Sequence, residues 1–108
     1  MRLDEKQFKK ILRSLRSEHQ FKILNTLNKD NGFRFVELKK KVNGDKSFAF
    51  HLMRLVEAKV VKKEQDVYCL TRIGIASMEL MDDFKELCMS FDLTDCDADG
   101  KIRIMVER

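Results

Sequence analysis

The chain has 108 residues, 44% hydrophobic and 37% charged, which is enough apolar material for one core and too little length for two. No apolar run approaches the roughly 18–20 residues of a membrane span, and the mixed-charge start Met1-Arg2-Leu3-Asp4-Glu5-Lys6 lacks the apolar stretch of a secretory signal. The three cysteines (Cys69, Cys88, Cys96) are odd in number and lack metal-ligand spacing, so the expectation is a soluble cytoplasmic domain with no membrane contact rather than a disulfide scaffold.

The formal net charge of +4 conceals an asymmetry. Residues 1–63 carry 17 Lys/Arg against 7 Asp/Glu, whereas residues 64–108 carry 5 against 11. A basic front half joined to an acidic back half suits one face presented to a polyanion and another turned away from it.

The first predicted helix runs from about Asp4 to Ser17, with Phe8, Ile11, Leu12 and Leu15 at helical spacing and Lys9, Lys10, Arg13 and Arg16 opposite. Ser17 is a good N-cap for a second helix carrying Phe21, Ile23, Leu24 and Leu27. That helix stops at the turn cluster Asn28-Lys29-Asp30-Asn31-Gly32. Phe33-Arg34-Phe35 reads as a short extended stretch. Val36 to Val42 fits a third helix and Lys46 to Lys59 a fourth, with Phe48, Leu52, Leu55 and Val56 on one face. Two short helices around a tight Gly-containing turn, here Asn43-Gly44-Asp45, form the helix-turn-helix pattern.

Val60 to Glu64 and Val67 to Thr71 are β-rich runs around Gln65-Asp66, the signature of a short hairpin. Thr71 can cap a last long helix, about Arg72 to Phe91, despite Gly74 in its first turn. Ile73, Met78, Leu80, Met81, Phe84, Leu87, Cys88 and Phe91 give that helix an unusually broad apolar surface. The expected fold is mainly α with a small β hairpin (α+β). It is a winged helix-turn-helix with a long C-terminal dimerisation helix, spanning residues 1–91, followed by a turn-rich acidic tail with strand-like alternation over residues 92–108.

This order of elements resembles the winged-helix regulators of the ArsR type. The resemblance is carried by Phe21-Lys22-Ile23-Leu24-Asn25-Thr26-Leu27 and Phe35-Val36-Glu37-Leu38-Lys39-Lys40-Lys41-Val42. It continues through Ser47-Phe48-Ala49-Phe50-His51-Leu52-Met53-Arg54-Leu55-Val56-Glu57-Ala58, then Val67-Tyr68-Cys69-Leu70-Thr71 with Ile73-Gly74. It covers about residues 8–90 and implies double-stranded DNA binding, homodimerisation and transcription regulation. Metal-sensing members carry Cys-x-Cys before the recognition helix. Here that helix reads Glu37-Leu38-Lys39-Lys40-Lys41, so the resemblance gives no support to metal sensing; no metal site and no cofactor are expected, and any small-molecule effector is unknown.

Phosphate contacts need positive charge or helix N-terminal amides, and base reading needs side chains projecting from a helix. Lys46 and Ser47 are expected at the start of the recognition helix, where anions are already favoured. Phe50, His51 and Arg54 share or adjoin the face opposite its core stripe. Arg54 can pair with guanine or phosphate. Phe50 either meets a thymine methyl or packs on the first helices, and His51 either reads bases or serves helix packing. Lys40 and Lys41, just before the turn, suit phosphate contacts. Lys62 and Lys63 in the wing reach the neighbouring backbone or minor groove, or simply protect an edge strand.

The last helix is too apolar for one small core, so Phe8, Leu12, Met78, Met81, Phe84 and Cys88 are expected at a two-fold interface. The alternative is that the tail covers this face within one chain. Asp95, Asp97 and Asp99 with Gly100 match the start of an EF-hand loop, but Val106 stands where the bidentate glutamate belongs; a turn between strands is the better reading. No Gly-rich phosphate loop and no nucleophile–base constellation points to an enzyme. The competing functional class is a winged-helix protein–protein interaction module in a transcription-related assembly. A Cys88–Cys96 redox pair has no support beyond closeness in sequence.

Overall fold

Asp4 starts the first helix. Its Oδ1 accepts the N–H of Gln7 at 2.8 Å, Glu5 lies in the first turn, and Arg13 and Arg16 lie in the last, each complementing the helix dipole. Ser17 both ends this helix, α1 (Glu5–Arg16), and caps the next, α2 (Glu18–Lys29), through the Gln20 N–H at 3.3 Å. The structure, a computed structural model, describes residues 2–30 and 32–91.

Beyond α2 come β1 (Phe33–Arg34), α3 (Phe35–Lys41), α4 (Phe48–Glu57), the hairpin β2 (Val61–Glu64) and β3 (Val67–Leu70), and α5 (Arg72–Met89). Gln65 and Asp66, the hairpin's two turn residues, have φ of 49° and 69°. Positive φ at both central positions is what a type I′ turn requires to match the strand twist. β1 pairs antiparallel with the other edge of β3, Phe33 opposite Tyr68, so the wing is a three-stranded sheet in the order β1-β3-β2. The sequence marks Phe33-Arg34-Phe35 as extended, but a two-residue strand has no period of its own to say that it pairs with the wing.

Leu24 of α2, Leu38 of α3, Leu55 of α4, Val60 before β2 and Met78 of α5 meet in one buried cluster. Each such side chain contributes on the order of 1.5–3 kcal/mol by leaving water. The first turn of α5 lies against the wing: Thr71 accepts the Gly74 N–H at 3.1 Å and donates to the Lys59 carbonyl at 2.6 Å. A Cβ on Gly74 would stand 2.2 Å from the Val60 carbonyl oxygen. That close approach explains a glycine where helix propensity argues against one.

Several boundaries differ from expectation, three of them in the helix-turn-helix. Phe35 opens α3 rather than extending the strand, because Glu37 accepts the Arg34 N–H at 2.9 Å and holds Arg34 as the extended residue ahead of the helix. α4 begins at Phe48, not Lys46. Asp45 Oδ1 takes both the N–H and the hydroxyl of Ser47, at 2.8 and 2.6 Å, and holds Lys46 and Ser47 in a turn. The same helix stops at Glu57, where Lys59 follows with a positive φ of 68°. The acidic tail, with its Asp95, Asp97 and Asp99 turn and its strand-like end, lies outside the described residues. Among those described, no helix is long and apolar enough to cross a membrane.

Candidate nucleic-acid interface

The helix-turn-helix is α3, the turn 42–47 and α4. Asn43 takes a positive φ of 57°, and the N–H groups of Asn43 and Gly44 donate to the Lys40 and Lys39 carbonyls at 3.1 and 2.9 Å, which closes the end of α3. α4 is then fixed from both sides. Phe48, Leu52 and Leu55 point into the core, and the Phe48 ring meets Phe35 edge-to-face at 5.1 Å. From α1, Gln7 Nε2 donates to the Ala58 carbonyl at 2.6 Å, satisfying a group the end of α4 would leave open.

This anchoring leaves Ala49, Phe50, Met53, Arg54 and Glu57 exposed on the outer face of α4. Phe50 is 52% and Met53 58% exposed, so neither is a core residue. Arg54 lies beside Phe50 with its guanidinium 5.0 Å from the ring centre and 3.7 Å from the Glu57 carboxylate. Lys40 and Lys41 are exposed at the end of α3, and Lys46 is exposed in the turn. These three form no ion pair among the described residues. On the wing, Lys62 is 3.4 Å from Glu64, and Lys63 is 3.9 Å from Asp66 and over the Tyr68 ring at 5.7 Å. Their charge is thus partly matched within the hairpin.

His51 faces inward along α4. Its ring stacks on His19 of α2 with centroids 4.8 Å apart and planes 2° from parallel, and its Nδ1 is 3.3 Å from Gln20 Nε2. Partial burial, then the neighbouring His19, hold its pKa below the ordinary 6.5, against the opposing pull of Asp45. The hydrogen bonds from Ser47 hold the Asp45 carboxyl below its ordinary range. Together with Glu18 and Lys22 these groups line a cleft of about 180 Å³ between α2 and the turn. Among the described residues no three His, Cys, Asp or Glu side chains come together as a metal site.

Of the sequence-derived candidates, Lys40, Lys41, Lys46, Phe50 and Arg54 are all exposed; Phe50 and Arg54 lie on the outer face of α4, and Lys40 and Lys41 line a groove with Phe33 and Glu37. Ser47 is engaged by Asp45, and His51 is a packing residue. Met53, Tyr68 and His19 were not singled out in the sequence. Met53 is legible in retrospect, one turn beyond Phe50 and off the Phe48-Leu52-Leu55 stripe.

Away from α4 in the chain, Phe8 and Leu12 of α1 and Leu80, Phe84, Leu87 and Met89 of α5 are exposed. Cys88 is exposed and Met81 half-buried. Met78, expected on this face, is instead fully buried in the chain's own core. α5 is apolar on several sides, and the helical period alone did not identify which methionine turns inward.

Helix-turn-helix, antiparallel wing and a long following helix define the winged helix-turn-helix class. Among solved structures, the crystal structure of an ArsR family transcriptional regulator matches with a TM-score of 0.56 at 19% identity, covering 85% of this chain and 100% of that one. HlyU from Vibrio cholerae N16961 matches with a TM-score of 0.61 at 24% identity, covering 78% of this chain and 97% of that one. The chain thus has the fold of an ArsR-type regulator. No family model matches the sequence, and no curated protein matches it significantly.

Proposed function

We propose that the chain is a transcriptional regulator that binds double-stranded DNA sequence-specifically as a homodimer, and that it is a binding protein rather than an enzyme. One observation carries the reading: the outer face of α4 is open to solvent, and Lys40 and Lys41 of the preceding helix and Lys46 of the turn are exposed, none paired with a carboxylate among the described residues. The shared fold with an ArsR family transcriptional regulator supports it. In this reading α4 enters the major groove and Arg54 reaches a base edge or phosphate. Lys40, Lys41 and Lys46 neutralise phosphates, with Lys62 and Lys63 on the adjacent backbone. Phe8, Leu12, Met81, Phe84 and Cys88 contribute to the dimer face, and no metal or cofactor is needed.

Fluorescence anisotropy of a labelled random-sequence duplex, titrated at several salt concentrations, tests this. Affinity should fall steeply, with a log–log slope of about −0.9 per phosphate neutralised. Lys46→Ala combined with Arg54→Ala should weaken binding about tenfold or more. A protein-interaction module is favoured by the exposed Phe50 and Met53, and it predicts no duplex binding even at low salt.

A further inference from the structure

The exposed first turns of α4 are apolar at the three outward positions, Ala49, Phe50 and Met53. Beside them a cleft of about 300 Å³ opens toward the wing, with Phe35, Met53, Val56 and Tyr68 in its lining. Lys63 lines this cleft, and Lys46 is exposed in the turn that leads into α4. An apolar surface bordered by lysines fits a ligand whose own rim is anionic and whose centre offers apolar groups.

Building on the DNA-binding reading above, we propose that Phe50 and Met53 determine sequence specificity by packing on the 5-methyl groups of thymines in the major groove. The major-groove edges of adenine, guanine and cytosine present hydrogen-bonding groups, whereas thymine adds a methyl. Phe and Met offer no donor that could satisfy those polar edges, and covering a polar edge without a partner is unfavourable. A methyl is the group they can bury with gain. Arg54, held beside the Phe50 ring and tethered by Glu57, is the sole exposed hydrogen-bond donor side chain on α4. The half-site it defines is therefore thymine-rich, with at most one position read by hydrogen bonds from α4.

The test starts from a duplex enriched by the protein itself from a random-sequence pool. The same duplex is then made with every thymidine replaced by deoxyuridine, which removes the methyl and keeps the base pair. The uracil form should bind about fourfold more weakly for each methyl contacted. Phe50→Ala combined with Met53→Ala, two exposed positions whose loss leaves the core intact, should bind both forms alike. Equal binding of the thymine and uracil duplexes by the wild type, with salt dependence retained, overturns the methyl reading and leaves DNA binding standing. A thymine preference that survives the double substitution also overturns it, since duplex shape would then be the cause. Failure to retain any duplex at low salt would remove the DNA-binding reading itself.

Discussion

His51 ties the helix-turn-helix to the helix behind it. Its Nδ1 faces the Gln20 amide at 3.3 Å, which the neutral ring meets as an acceptor and the charged ring cannot. The stacked His19, 4.8 Å away, adds repulsion when both rings are protonated. With its pKa in the folded chain below 6.5, His51 resists a proton that the unfolded chain accepts. Linkage then sets the sign: stability is insensitive to this group above pH 6.5 and falls as the solution is acidified through and below that value. Asp45, held low by Ser47, adds a second and more acidic limb below 3.8. Urea midpoints measured across this range should decline below pH 6.5 in the wild type. His51→Gln, which keeps a polar partner for Gln20, should flatten the first limb. A wild-type midpoint that stays level there would mean that the stack carries no titration penalty.

The helix α5 depends on how its first turn meets the wing. The Gly74 position has the Val60 carbonyl oxygen where a Cβ would lie, 2.2 Å away. In an open helix, Gly→Ala adds roughly 1 kcal/mol of stability. Here Gly74→Ala has the opposite sign, because either α5 or the strand must move, at a cost on the order of 1–3 kcal/mol. Chemical denaturation of the variant distinguishes the two signs directly. The sequence made the element itself legible, since Thr71 is a capping residue and the apolar positions recur at helical spacing. It also marked Gly74 as out of place without giving the reason, which lies at the Val60 carbonyl just ahead of β2. The same division holds at the candidate site. The exposure of Lys40, Lys41, Lys46 and Arg54 follows from order and charge. Whether Phe50 packed inward or faced out, and that Ser47 would be bound by Asp45, depended on tertiary neighbours that periodicity does not encode.

Across the whole molecule the unbalanced feature is the second half of α5. From Glu79 to Met89 every residue but the half-buried Met81 is exposed, and Leu80, Phe84 and Leu87 are each more than half exposed. A helix end of this length gains little stability from its own hydrogen bonds in water, and helices in proteins draw most of theirs from packing of an apolar face. A second copy, contributing the same residues together with Phe8 and Leu12, supplies such packing with two-fold symmetry. Sedimentation equilibrium should therefore give twice the 12.8 kDa chain mass. Phe84→Asp combined with Leu87→Asp should return it to the single-chain value. Neither residue belongs to the core, so the double variant should keep its folded core and most of its helical circular dichroism, losing only the contribution of the unsupported end of α5, while losing the dimer. DNA binding then provides an independent measure of the same event. One subunit neutralises half as many phosphates as two, so the salt slope of the variant should fall to about half that of the wild type. A wild-type chain that sediments as a monomer would rule out this arrangement. A variant that becomes monomeric yet keeps the full salt slope would show that one subunit makes all of the phosphate contacts.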